Sequence, residues 1–179
     1  MKRILFTLYL SILTIISFAQ TPTFTLSEEK PTFPNQFVTI NTDGLTMENN
    51  YKKIIDWINI TYDDPSQVIK AQLEDKYIRI QATSKDIAIT NLLIRYFIEF
   101  RFENNNVIID VVELELYTRL GRNTNGDDVG TWSDLSMENK KMYKKNGKPK
   151  KAYQKKALGI MNYFDEIVLS IDSHIKNKN

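Results

Sequence analysis

The chain has no cysteine and a single histidine. Disulfides, cysteine nucleophiles and thiolate metal sites are therefore excluded, and Ser–His–Asp catalysis would rest on His174 alone. His174 falls near the C-terminus beside a Lys/Asn-rich tail, a poor place for a rigidly held base; it reads as a helix-end residue that complements the dipole. Glycine is scarce, with 6 residues, and Gly121 and Gly126 do not build a phosphate-cradling loop. After the first twenty residues no apolar run is long enough to span a bilayer.

The start of the chain is different. Met1-Lys2-Arg3 precedes an apolar run from Ile4 to Phe18, and Ser17-Phe18-Ala19 sets small residues at the positions a signal peptidase inspects. This pattern predicts a signal peptide over 1–19, cleaved after Ala19. Without a cysteine after the run no lipid anchor is expected, and the expected location is periplasmic or extracellular. The mature chain would hold about 160 residues, one domain by length and large enough to fold by packing alone.

Residues 20–36 hold Pro22, Pro31 and Pro34 and read as an extended leader. Alternation over Phe37–Asn41 predicts a strand. Thr46 is a helix N-cap signal with Glu48 in the first turn, and Tyr51, Ile54, Ile55, Ile58 and Tyr62 share one helix face. Asp63-Asp64-Pro65-Ser66 ends that helix. Two short strands come next, one with Ile69, Ala71 and Leu73 on a face, the other with Ile78, Ile80 and Ala82. For both sets to reach one core the connecting loop needs an even length, Glu74-Asp75 or Glu74 to Tyr77.

The clearest alternation places Ile94, Tyr96, Ile98, Phe100 and Phe102 against Arg95, Phe97, Glu99, Arg101 and Glu103. A three-residue loop, Asn104 to Asn106, then leads to a strand with Ile108, Val112, Leu114 and Leu116 facing the core. That register sets Arg95 across from Glu115 and leaves Asp110 on the apolar face, near the sheet rim. Residues 118–149 read as a polar, Lys-rich loop insertion. A long final helix runs from about Lys150 to Ile175, its stripe formed by Tyr153, Ala157, Ile160, Phe164, Ile167, Val168, Ile171 and Ile175. The domain over 37–176 is thus α+β: a five-stranded curved antiparallel sheet in the order β-α-β-β-β-β-α, with both helices on one face.

The segments Tyr51-Lys52-Lys53-Ile54-Ile55-Asp56-Trp57-Ile58 and Asp64-Pro65-Ser66-Gln67-Val68-Ile69, with the strands Tyr96–Phe102 and Val107–Tyr117, resemble the family known as domain of unknown function 4468. The resemblance runs from about Phe37 to Tyr117 and is completed by the final helix. It implies export and a TBP-like fold. It implies no activity and no catalytic residue, and a fold name does not imply DNA binding; the residues themselves suggest no metal site and no cofactor.

Chemistry remains thin. Glu113 and Glu115 share a strand face about 7 Å apart, a spacing that suits a glycosidase pair, but they alternate with apolar residues near Arg95 and read as solvated ion pairs. Asp63-Asp64 reads the same way. Asn123-Thr124-Asn125-Gly126-Asp127-Asp128 lacks the bidentate glutamate of a calcium loop and reads as a turn. Tyr96, Phe100 and Phe102 read as core rather than a base-stacking platform.

Charge is the remaining lead. Losing Lys2 and Arg3 brings the 24 basic residues level with the 22 acidic ones. Yet Lys140, Lys141, Lys144, Lys145, Lys148, Lys150, Lys151, Lys155 and Lys156 form a stretch without one acid, so the rest of the mature chain carries a matching acidic excess. Lysines are point charges without shape readout, and no arginine accompanies them. The expected partner is an anionic envelope component or an acidic protein, not a specific nucleic-acid sequence. A non-enzymatic binding or interaction module is the first reading. A carrier with an apolar pocket between sheet and C-terminal helix is the second, and a carboxylate-dependent hydrolase the third.

Overall fold

A computed structural model describes residues 37–85, 93–134, 144 and 150–177. The expected signal peptide 1–19 and leader 20–36 lie outside the described residues. Among the described residues no helix is long and apolar enough to cross a membrane. The elements are β1 (Phe37–Asn41), α1 (Met47–Thr61), α2 (Pro65–Val68), β2 (Ile69–Leu73), β3 (Tyr77–Ser84), β4 (Ile94–Glu103), β5 (Asn106–Arg122), β6 (Asp128–Asp134) and α3 (Lys151–Lys176). All pairings are antiparallel, in the order β1-β5-β4-β3-β2, with β6 also on β5.

The first helix forms where its cap predicts. Thr46 Oγ1 accepts from Asn49 N at 3.2 Å, and Asn104 Oδ1, from the β4–β5 turn, accepts from Met47 N at 3.1 Å. These bonds meet two of the amides a helix start leaves open. The predicted stop also holds: α1 ends at Thr61, and Asp64 caps the single turn of α2, with Pro65 in its first positions.

Tyr96, Phe100 and Phe102 alternate on one face of β4, and all three are buried. Trp57 of α1 meets the Phe100 ring at 6.2 Å, and Tyr51 meets Phe102 at 5.5 Å. Phe164 of α3 meets Tyr96 at 5.4 Å. Both long helices therefore cover the same side of the sheet, as the one-sided apolar pattern requires. Trp57 Nε1 donates to Ser170 Oγ at 3.1 Å and ties the helices together. Ile54, Ile58, Ile78, Ile80 and Ile98 fill the layer between. Each such side chain contributes about 1.5–3 kcal/mol by leaving water.

Three local expectations are corrected. The sheet has six strands, not five, because the polar stretch expected as a loop from residue 118 contains β6. β4 begins at Ile94, which faces Leu116, so from Thr118 onward β6 is the only strand beside β5 among the described residues. A ribbon wet on both faces needs no apolar alternation, which is why its strands read as loop.

The β4–β5 turn has two residues, Asn104-Asn105, not three: Glu103 faces Asn106 and Asn105 takes φ +64°. The core side of β5 therefore starts on odd positions, with Val107, Ile109 and Val111 buried. The register then shifts opposite Phe97 and Ile98, a bulge that adds one residue at Val112 and brings Leu114 inward. Ile108 and Val112 are not core residues as expected. Asp110 lies not on the apolar face but on the open one, 3.8 Å from Arg101. Arg95 still faces Glu115 because the shorter turn and the bulge cancel.

The β2–β3 connection has three residues, Glu74–Lys76, with Asp75 at φ +60°. This odd loop sends Ala71 and Leu73 to the open face, opposite Arg79 and Tyr77. A bulge at Lys70 then restores Ile69 to a position facing Ile80.

Candidate functional site

Of the nine lysines, Lys144, Lys150, Lys151 and Lys155 are described and exposed. Lys140, Lys141, Lys145 and Lys148 lie outside the described residues, and Lys156 sits on α3 with its side chain undescribed. Lys150, Lys151 and Lys155 stand at the start of α3. Lys150 is its N-cap residue, makes no side-chain cap bond, and no acid is present in the first turn. A helix N-terminus carries open amides and about half a positive charge. Lysines there repel it, the reverse of Thr46 and Glu48 at α1. Among the described residues, Lys144, Lys150, Lys151 and Lys155 make no ion pair.

The open sheet face treats its cations differently. Arg79 lies 3.6 Å from Glu99 and 3.4 Å from Glu113. Arg95 holds Glu115 and stands 4.3 Å over the Trp132 ring, and Arg79 stands 5.0 Å over Phe97. Burial pushes the Asp110 carboxyl above its ordinary range, against the pull of Arg101. Fixed positive charge on this face is matched internally, while Lys150, Lys151 and Lys155 at the start of α3 are exposed.

The other candidate residues take structural roles. Glu113 and Glu115 share the open face, each engaged by an arginine. In the β5–β6 turn Asn123 Oδ1 accepts from Asn125 N at 3.0 Å and Asp127 N at 2.9 Å, so the side chain serves the turn itself. Asp128 pairs with Arg119 at 2.6 Å and Arg122 at 3.3 Å. Among the described residues no three His, Cys, Asp or Glu side chains are grouped to hold a metal. His174 stands half-buried in the last turn of α3, with Lys176.

One cluster escaped the sequence. Tyr163 OH donates to Tyr96 OH at 3.1 Å, and Tyr62 OH lies 3.3 Å from the same oxygen. Burial pushes the Tyr62 phenol up to about 12 and Tyr96 higher still. Three hydroxyls thus satisfy one another where α1, α3 and β4 meet. Tyr163 flanks the apolar stripe of α3, and no local signal marks it as the partner of a residue 67 positions away.

The space between helices and sheet is occupied by Trp57, Phe100 and Phe164, all fully buried. An open hollow of about 400 Å³ lies elsewhere, along β2, lined by Ser66, Ile69, Lys70, Ala71 and Gln72.

The architecture belongs to the TBP-like α+β class. A TBP-like protein from Parabacteroides distasonis is similar over 80% of this chain and 93% of its own, at 9% identity and a TM-score of 0.60. A DUF4468 family protein from Bacteroides ovatus is similar over 80% of this chain and 86% of its own, at 11% identity and a TM-score of 0.57. What is shared at these identities is the fold. No protein-family profile and no curated protein matches the chain.

Proposed function

We propose that this chain is an exported, non-enzymatic binding module that acts through its surface, with the Lys140–Lys156 stretch docking on an anionic envelope component. The observation that carries this reading is the start of α3. Lysines crowd a positive helix end that has neither cap nor acid, a local cost that an anionic surface relieves. Export rests on the Met1–Ala19 pattern. The carrier reading is weaker, because aromatic side chains take up the room between helix and sheet.

Vesicle flotation tests the proposal. The protein is expected to float with vesicles containing anionic lipid and not with neutral ones. A variant with all nine lysines changed to glutamine is expected to stay behind. Equal flotation of the two proteins would end the idea.

A further inference from the structure

The outward side of α3 changes character along its length. Lys151, Lys155, Leu158, Asn162, Glu166 and Leu169 follow one another at three- and four-residue steps and are all exposed. They form one stripe pointing away from the buried Ile160, Phe164 and Ile171. Before Asn162 the helix carries lysines and no acid. From Asn162 to Ser173 it carries Asp165, Glu166 and Asp172 and no lysine or arginine. Leu158 and Leu169 stand about 16 Å apart along the axis and are almost equally exposed, at 46% and 47%. One leucine thus lies among cations and the other among acids.

We propose that Leu158, flanked by Lys151 and Lys155, is the side chain with which this chain enters the surface of an anionic lipid bilayer. This rests on the lysine reading above and narrows its partner to lipid. A soluble polyanion is satisfied by lysine charge alone and gains nothing from an aliphatic side chain. A bilayer surface takes both: headgroup phosphates meet the ammonium groups, and the acyl boundary beneath them accepts an apolar side chain. Lys155 is one turn from Leu158 and Lys151 two turns. Their stems can lie beside the leucine while the ammonium groups stay at phosphate level. The outer pole of an amphipathic helix is ordinarily polar; a leucine there is left in water until a surface covers it.

Leu169 has the same outward direction, but Glu166 precedes it by one turn, and an anionic surface repels that end. The helix therefore meets the bilayer at its first two turns and tilts away beyond Asn162. Leu120 and Val129 of the β5–β6 ribbon are exposed too, yet the nearby Arg119 and Arg122 give their charge to Asp128. One leucine with a few lysines binds weakly, since neither signal suffices alone, so salt still releases the protein.

Binding is measured on vesicles of phosphatidylglycerol and phosphatidylcholine in equal parts, and in solution on dextran sulfate. Leu158→Gln is expected to lower vesicle affinity roughly threefold or more and to leave dextran sulfate binding unchanged. Leu169→Gln is expected to change neither. Because the chain has no cysteine, Leu158→Cys and Ser173→Cys each carry one environment-sensitive fluorophore, at the two ends of the stripe. The L158C label is expected to shift to the blue on vesicles and to be quenched by nitroxide lipids, and the S173C label to do neither. Each outcome is read on protein with wild-type circular dichroism. If L158Q binds vesicles as wild type does while the nine-lysine variant stays behind, the lysine reading stands and insertion of Leu158 is overturned. Loss of dextran sulfate binding in L158Q, or equal quenching of the two labels, would overturn it as well. If the nine-lysine variant binds vesicles as wild type does, both readings fall together.

Discussion

Asp110 is the residue whose surroundings say most about the sheet. It lies on the open face beside Arg101, yet one carboxylate oxygen is buried without a hydrogen-bond partner. Its folded value is raised above the ordinary 3.8 by burial. A carboxyl raised in this way supports the fold fully below 3.8 and loses that contribution as pH climbs through the folded value. Asp110→Asn is therefore expected to melt at a higher temperature than wild type at neutral pH. The difference should vanish in melts run below pH 3.8. The lost Arg101 contact does little against this, at 3.8 Å and with a half-exposed guanidinium. Gly130 makes a second residue-level case. A Cβ there would collide with the Tyr117 ring and lie 2.6 Å from the Thr118 carbonyl oxygen. The tyrosine is held against the ribbon backbone, its hydroxyl 3.4 Å from the Asp128 carbonyl. Gly130→Ala should lift Tyr117 and disturb Trp132, whose ring lies 5.3 Å away. In a Trp57→Phe background, Trp132 emission is expected to shift to the red while far-ultraviolet circular dichroism stays unchanged.

At the scale of elements, α1 and α3 are a contrast in one physical rule. α1 begins on a capping threonine with an acid behind it; α3 begins on a lysine with more lysines behind it. Lys150→Asp supplies the missing cap and an acid at the positive helix end. It should stabilise the fold by about 1 kcal/mol in urea denaturation and reduce flotation with anionic vesicles. A change that improves stability while weakening binding is what a surface kept unfavourable for function produces. The same contrast shows how far the sequence could be read. Thr46, Asp64-Pro65 and the alternation from Ile94 to Phe102 speak locally, so both long helices, the five expected strands and the shared helix side were legible. Register was not. Whether Asn104–Asn106 closes with two or three residues is decided by how Asn104 and Asn105 serve the start of α1, where they accept from Met47 N and Gly44 N. Asp110, out of place in an unbroken register, was the one sequence trace of the bulge at Val112. β6 left no trace, since a strand wet on both faces has no reason to alternate.

For the whole molecule, the fold provides a filled core on one side of a sheet, and the proposed binding is placed on the exterior. Arginines of the open face are locked to carboxylates and rings, while Lys150, Lys151 and Lys155 make no ion pair among the described residues. The candidate site was legible as a charge run, but the place of Lys150, Lys151 and Lys155 at an uncapped helix start required the structure. The same segregation of charge predicts a sharp dependence on ionic strength, because exposed charges are screened over about 8 Å at physiological salt. The measurement that bears most directly on this account is the apparent affinity for anionic vesicles as salt is raised. A steep fall, ending in loss of binding at high salt, is the predicted result. Affinity that stays level across the titration would contradict an electrostatic origin and, with it, the assignment of binding to the lysine stretch.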